Sequence, residues 1–239
     1  MPARPGACRS ARLPGLNSND KLQASQITKL VSAALKQELG TGFVGIFYGG
    51  FMKTKHGVKL IEYNARFGDP EAMNLLALLD TDFVEINYAM ATGTLDQLNI
   101  KYKNLATVCK YLVPLGYPQN PIKGEKIDIS ELYGDWDDIY FGSVDSEDSV
   151  LPYTTSSNLA INNSNIESQA ENPQVEITDL VLKGSRAIAV YCSGQTISQA
   201  EEKVERIIEK ITGPLFHRPD IGKASYTQTK VDMMNEVLG

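Results

Sequence analysis

Between Leu60 and Glu71 the chain reads Leu-Ile-Glu-Tyr-Asn-Ala-Arg-Phe-Gly-Asp-Pro-Glu, a strand-like run that ends in a carboxylate and an amide two residues apart. Alternate residues of a strand point to one face. Glu62 and Asn64 therefore present two oxygens side by side, a pair suited to a hard cation such as Mg²⁺. The turn behind them carries a cation (Arg66), the permissive Gly68 and an acid (Asp69). Pro70 then opens a helix, since proline is favoured at a first helical position. Taken alone, the Glu–Asn pair is better explained by an exposed polar strand end, so its surroundings have to decide.

Those surroundings read as a hairpin covered by helices. Gly42–Met52 and Gly57–Asn64 have strand composition, and the polar Lys53-Thr54-Lys55-His56-Gly57 joins them. The glycines of the first strand leave room for another backbone or a ligand. Ahead of it, Ile27, Leu30, Val31, Ala34, Leu35 and Leu39 mark one face of a helix over Ser25–Leu39, stopped by Gly40. Behind it, a helix over Pro70–Leu79 takes Asp69 as N-cap and packs Leu75, Leu76, Leu78 and Leu79. A second helix, Asp82–Ala91, ends at Gly93, and a linker runs from Thr94 to Asn104.

From Ala106 the pattern is mostly strand, at 107–114, 139–144, 175–177 and 187–192. One long helix follows over Ser198–Thr212. Ser198 with Glu201 has the spacing of a capping box. Val204, Ile207, Ile208 and Ile211 face inward, and Glu201, Glu202, Glu205 and Glu209 form a solvated face. Residues 146–173, rich in Ser, Asn, Asp and Thr, read as a flexible insertion. The expected class is α+β, with a disordered leader (1–20), a first domain (21–104), a small mainly β domain (105–222) and a polar tail (223–239) that turns helical from Lys230. His56 reads as a loop-tip residue and His217 as structural.

Composition narrows the function classes. A net charge of -6 argues against a nucleic-acid surface. Three cysteines, far apart and odd in number, fit neither a disulfide framework nor a zinc site and indicate a reducing compartment, the cytoplasm. No apolar run approaches the length of a membrane span. Arg4, Arg9 and Arg12 with no acid before Asp20 share the charge of an organelle-targeting leader. Without amphipathicity, that stretch reads as disordered or non-native.

The run Arg66-Phe67-Gly68-Asp69-Pro70-Glu71, followed by Ala72 and Met73, resembles the signature of the phosphoribosylamine–glycine ligases, also called glycinamide ribonucleotide synthetases. The hairpin before it resembles the closing strands of the ATP-grasp fold. The segment Ala106–Pro118 and the run Phe216-His217-Arg218-Pro219-Asp220-Ile221-Gly222 resemble the start and end of that family's C-terminal domain, with a leaning to archaeal members. The resemblance implies the C-terminal part of an ATP-grasp subdomain followed by the C-terminal ligase domain. It also implies ligation of glycine to 5-phosphoribosylamine with cleavage of ATP, the second step of de novo purine synthesis, through an acyl phosphate. Glu62 and Asn64 become ligands of Mg²⁺ or Mn²⁺. Arg66 and Asp69 become catalytic residues, and Arg66, Gly68, Asp69 and Pro70 shape the substrate side, with the helix N-terminus as an anion site.

The chain also departs from the family pattern. Residues 1–24 match neither the N-terminal domain nor the ATP-grasp segment that clamps the nucleotide, so an incomplete enzyme is expected. Some archaeal relatives place a Gln metal ligand where this chain has Gly50. The alternative reading is a non-catalytic fragment or subunit whose partner supplies the nucleotide clamp, and its hairpin is expected to leave a sheet edge exposed. A different ATP-grasp carboxylate–amine ligase would share the Glu-x-Asn pair but not the run Arg66–Glu71.

Overall fold

The computed structural model describes residues 16–132, 134–146 and 180–238. Two compact units form: one from the residues up to Ala106 with 195–197 and 222–239, the other from 107–194 and 198–221. No helix among the described residues is long and apolar enough to cross a membrane.

In the first unit, helix α1 (Ser18–Leu39) starts at a reciprocal cap. Asn17 Oδ1 accepts from the Asp20 amide at 3.0 Å, and Asp20 Oδ2 accepts from the Asn17 amide at 2.9 Å. The helix thus begins seven residues before the expected Ser25, inside the stretch 1–20 read as a disordered leader. The cap satisfies amide donors that would otherwise be orphaned, and this outweighs the missing apolar period. Residues 1–15 lie outside the described residues. Gly40 closes α1 at φ 71 as a left-handed cap. Ile27, Val31 and Leu35 are half-buried, but Leu30 and Leu39 are 71% and 63% exposed. The fully packed stripe expected for this helix is therefore only partly realised.

Strands β1 (Tyr48–Thr54) and β2 (Gly57–Asn64) form an antiparallel hairpin with a two-residue turn at Lys55-His56. The first strand was expected from Gly42. Gly45 sits at φ 146, a backbone region that breaks the extended run, and the Phe43 ring instead packs on Phe47 at 5.4 Å. Among the described residues the sheet has two strands, and α1 lies against it. Gln23 Oε1 accepts from the Val58 amide (2.9 Å), Lys53 pairs with Asp20 (2.8 Å), and the Tyr63 hydroxyl donates to Thr28 Oγ1 (2.7 Å). Helix α2 (Glu71–Ala77) is shorter than the expected Pro70–Leu79. Helix α3 (Phe83–Thr92) starts at Asp82, whose carboxylate accepts from Val84 and Glu85, and stops at the left-handed Gly93. Helix α5 (Ala224–Leu238) starts before the expected Lys230, with Lys223 O accepting from the Thr227 amide at 3.1 Å.

The second unit holds the larger core. The strands are β3 (Ala106–Pro114), β4 (Lys126–Ile127), β5 (Ile139–Phe141), β6 (Val144–Ser146), β7 (Leu180–Leu182), β8 (Ile188–Gly194) and β9 (Leu215–Phe216). One sheet has the order β5-β8-β3-β9 and the other β4-β7-β6. Helix α4 (Ile197–Ile208) contributes Ala200, Val204, Ile207 and Ile208 to a core with Leu180, Leu182, Ile188 and Val190. Each large aliphatic side chain buried there stabilises the unit by roughly 1.5–3 kcal/mol. The expected single strand 139–144 is split between the two sheets at Gly142, where a Cβ would lie 2.6 Å from the Arg186 carbonyl. The insertion 146–173 (apart from Ser146) and the strand expected at 175–177 lie outside the described residues.

Candidate functional site

The carboxylate–amide pair sits at the end of β2. On one side of the hairpin Glu62 is exposed and Asn64 half-buried, and Asn64 Nδ2 donates to Glu62 Oε1 at 3.1 Å. Strand pairing sets Gly50 opposite Glu62 and Tyr48 opposite Asn64. A Cβ on Gly50 would touch Glu62 Cγ at 3.6 Å, an ordinary contact, so this position is open beside the carboxylate. Two oxygen donors, one anionic, fit a hard cation that takes the rest of its shell from water or phosphate oxygens. Among the described residues no cluster of three or more His, Cys, Asp or Glu side chains forms a closed metal cage.

The turn after β2 differs from its sequence reading in two respects. Asp69 was expected to cap the helix and Pro70 to be its first residue. Instead Pro70 occupies the N-cap, with no side-chain cap hydrogen bond, and α2 begins at Glu71. The helix is held from behind, by the Ala72 amide donating to Gly68 O at 2.9 Å. With only seven residues, α2 has little macrodipole to offer an anion, which weakens the anion site expected there. Gly68, read as permissive for backbone conformation, is required for space. A Cβ there would lie 2.3 Å from Glu71 Oε2 and 3.2 Å from Tyr48 Cε1. The Glu71 carboxylate therefore lies over Gly68, beside the Tyr48 ring that pairs across from Asn64.

Arg66 Nη1 donates to its neighbour's carbonyl, Phe67 O, at 2.6 Å, and the guanidinium is exposed. Among the described residues it makes no ion pair, so its remaining N–H donors are open to a ligand. The fold thus brings Glu62, Asn64, Tyr48, Gly68 and Glu71 together on the hairpin and the turn behind it. Asp69 is exposed in the same turn. Glu71 was quoted only as a signature letter; its packing over Gly68 has no sequence signal beyond a small residue three positions earlier.

A second polar cluster, missed by sequence reasoning, lies in the second unit. Lys110, 1% exposed on β3, donates to Glu201 Oε1 at 2.8 Å, to Glu205 Oε1 and to Pro219 O at 3.4 Å. His217 Nε2 lies 3.2 Å from the Glu205 carboxylate. Glu201 and Glu205 are therefore not part of a solvated helix face. Ser198 is inside α4, and the Glu201 carboxylate is used on Lys110 instead of a capping box. Burial raises the Glu205 carboxyl pKa, but the Lys110 ammonium and His217 outweigh it and hold the carboxyl below its ordinary range. Burial also pushes the Cys192 thiol up to about 12, which keeps it protonated and inert.

Comparison with known proteins places these features. The family model described as phosphoribosylglycinamide synthetase, ATP-grasp (A) domain, matches residues 6–72, and that of the C domain matches residues 107–224; the first match takes in residues 6–24 and corrects the expectation that residues 1–24 match no ATP-grasp segment. A phosphoribosylamine–glycine ligase of Methanocaldococcus jannaschii is 39% identical over 231 residues, which is 97% of this chain and 46% of the relative. One from Methanosarcina acetivorans is 40% identical over 229 residues, 95% of this chain and 44% of the relative. The chain thus spans about half the length of the curated relatives it matches. The crystal structure of a phosphoribosylamine–glycine ligase from Thermotoga maritima shares the fold, with a TM-score of 0.62 at 22% identity over 87% of this chain and 44% of that one. With one family's ATP-grasp and C-domain models both matched, and the run Arg66–Glu71 intact in the fold behind an oxygen pair, the chain belongs to the phosphoribosylamine–glycine ligase family.

Proposed function

We propose that the chain serves the ATP-dependent joining of glycine to 5-phosphoribosylamine, giving glycinamide ribonucleotide, ADP and phosphate. The supporting observation is the uninterrupted run Arg66–Glu71 directly behind the Glu62–Asn64 pair, in a chain matched by both domain models. A carboxylate resists attack by an amine because its oxygen is a poor leaving group. Transfer of the γ-phosphoryl group of ATP to the glycine carboxylate gives glycyl phosphate and ADP. The amine then attacks the acyl carbon, phosphate departs, and the amine nitrogen loses its proton. Positioning and charge neutralisation carry most of a phosphoryl transfer.

Glu62 and Asn64 are the residues that would hold Mg²⁺ or Mn²⁺. When bound, such an ion supplies charge neutralisation at phosphate oxygens. Arg66, with N–H donors open to a ligand, binds the transferring phosphoryl group or the glycine carboxylate. Gly68 keeps the turn low enough for the Glu71 carboxylate to cross it, and Asp69 and Pro70 shape the substrate side. With ATP and a sugar phosphate as substrates, the proposed setting is the cytoplasm. Glycine-dependent ADP release from Mg²⁺–ATP and 5-phosphoribosylamine tests the reading. Loss of that release in Glu62→Ala and Arg66→Ala is expected, and undiminished release in both would remove the assignment.

A second reading has a specific observation behind it. Met52 and Ile61 on the hairpin are 55% and 62% exposed, an apolar surface unusual for a finished sheet. On this reading the hairpin docks a partner carrying the nucleotide clamp, and the chain is inactive without it. Turnover by the chain alone excludes this reading.

A further inference from the structure

The residue between Glu62 and Asn64 faces the other way. Neighbouring side chains of a strand point to opposite faces, so Tyr63 leaves the oxygen pair on one side of the hairpin and reaches helix α1 on the other. There it is held from three directions. Its ring stacks on Phe47 with centroids 4.0 Å apart and planes 6° from parallel, and it meets the Phe51 ring edge-on at 5.9 Å. Its hydroxyl donates to Thr28 Oγ1 at 2.7 Å, and Thr28 donates in turn to Ala24 O at 2.9 Å, so these hydrogen bonds end on the backbone of α1. Gly49 lies opposite Tyr63 in the ladder, and a Cβ there would lie 2.7 Å from Tyr63 Cε1 and 2.6 Å from Phe51 Cε2. The bare glycine leaves the room that the two rings occupy.

The strand needs an anchor at this point. Its ladder skips Ile61, since Gly50 pairs with Glu62 and Phe51 with Leu60. A bulge interrupts regular pairing and re-aims side chains, and here it comes directly before the first oxygen donor. Asn64 is the last residue of β2, and the sheet has two strands among the described residues, a weak support by itself. A cation site needs its donors locked by the packing behind them. We propose that Tyr63 is the positioning residue of the Glu62–Asn64 pair, its clamp on α1 and Phe47 fixing the aim of the two oxygens on the opposite face. This rests on the metal reading above and goes beyond it, because Tyr63 acts from the face turned away from the cation.

The test sets Mn²⁺ binding by the full chain, followed by electron paramagnetic resonance, against thermal unfolding followed by circular dichroism. Tyr63→Leu removes both the stack and the hydroxyl. It is expected to bind Mn²⁺ roughly tenfold more weakly, the low end of what outer-shell partners contribute. Tyr63→Phe keeps the ring in its stack and is expected to restore most of that binding. Gln23→Ala is the control. It loses the hydrogen bond to the Val58 amide and loosens the same helix at the turn end of the hairpin. Its unfolding temperature is expected to fall while Mn²⁺ binding stays as in the wild type. Gly49→Ala displaces the Tyr63 ring without altering a polar group, so weaker Mn²⁺ binding is expected there too, and it carries the test if Tyr63→Leu does not fold. Wild-type Mn²⁺ binding in a folded Tyr63→Leu, or in Gly49→Ala in its place, overturns the proposal. So does an equal loss of binding in Gln23→Ala, because general loosening then accounts for both. Loss of binding in Glu62→Ala but not in Tyr63→Leu overturns the Tyr63 assignment alone. Binding that survives Glu62→Ala removes the metal pair itself, and the proposal with it.

Discussion

Lys110 Nζ lies 2.8 Å from Glu201 Oε1 inside the second unit, a buried ammonium on the core face of β3 held by the first turns of α4. The same nitrogen reaches Glu205 and the Pro219 carbonyl, so one cation ties a strand, a helix and the segment before Gly222. Charges taken out of water are tolerated only when they are paired and hydrogen-bonded. Removing one partner of such a group leaves the other uncompensated. Lys110→Met is therefore expected to destabilise the second unit by about 3–5 kcal/mol. Trp136, the single tryptophan, packs against this core, so urea unfolding followed by its fluorescence reads the change directly. Replacing the whole group together (Lys110→Met, Glu201→Gln, Glu205→Gln) should recover much of the loss; if it does not, electrostatic compensation is not what Lys110 supplies.

The same cluster sets an acid limit. The folded-state pKa of Glu205 is depressed, with Lys110 and His217 overcoming the opposing effect of burial. A depressed carboxyl contributes stability that is present above its unfolded value, near 4.5, and is lost as pH falls through the folded value. Trp136 fluorescence should thus report a fall in stability below about pH 4.5 in the wild type. Without Lys110 the main favourable partner of Glu205 is gone, and that fall should flatten. An unchanged acid profile in Lys110→Met would show that other carboxyls govern it.

Periodicity and punctuation made α3, β2 and the core face of α4 legible in the sequence, because Asp82, Gly93 and the run Val204, Ile207, Ile208 act locally. The Glu62–Asn64 pair was legible for the same reason, since strand alternation is a local rule. What was not legible depends on partners far along the chain. Lys110 and Glu201 are separated by 91 residues, and no pattern in either segment announces the other. Gly142 splits a strand only because the Arg186 carbonyl approaches it. The early start of α1 was missed because a two-residue reciprocal cap outweighed a weak apolar period, and Asn17→Ala should cost about 1 kcal/mol of helix stability.

Position 50 offers a gain-of-function test of the proposed metal pair, Glu62 and Asn64. Glu62→Ala should weaken Mn²⁺ binding, followed by electron paramagnetic resonance, by at least about tenfold, since even outer-shell partners are worth that much. Gly50→Gln places an amide carbonyl opposite Glu62 in the ladder, where a Cβ meets Glu62 Cγ at no closer than 3.6 Å. A third oxygen on that face should tighten Mn²⁺ binding. If Gly50→Gln binds as the wild type does while Glu62→Ala binds more weakly, the third donor lies out of reach and the open space beside Glu62 plays no part.

Gly68→Ala separates the cost of folding from the cost to the site. The added methyl would lie 2.3 Å from Glu71 Oε2 and 3.2 Å from Tyr48 Cε1. The nearer atom is the far end of a flexible side chain, which can swing away, and Gly68 does not sit in the left-handed region that would strain an alanine. Gly68 is buried, so stability should fall by about 1 kcal/mol, the low end of what an added methyl costs in a packed site. The Glu71 carboxylate, however, must leave its place over the turn, where the proposed substrate side lies. Glycine affinity should fall in Gly68→Ala while Mn²⁺ binding at Glu62 and Asn64 is preserved. A variant that folds as the wild type does and binds glycine equally well would show that the position of Glu71 over Gly68 is packing alone. A large loss of stability would instead mean that Tyr48 cannot yield, and that Gly68 is held by the hairpin and not by the site.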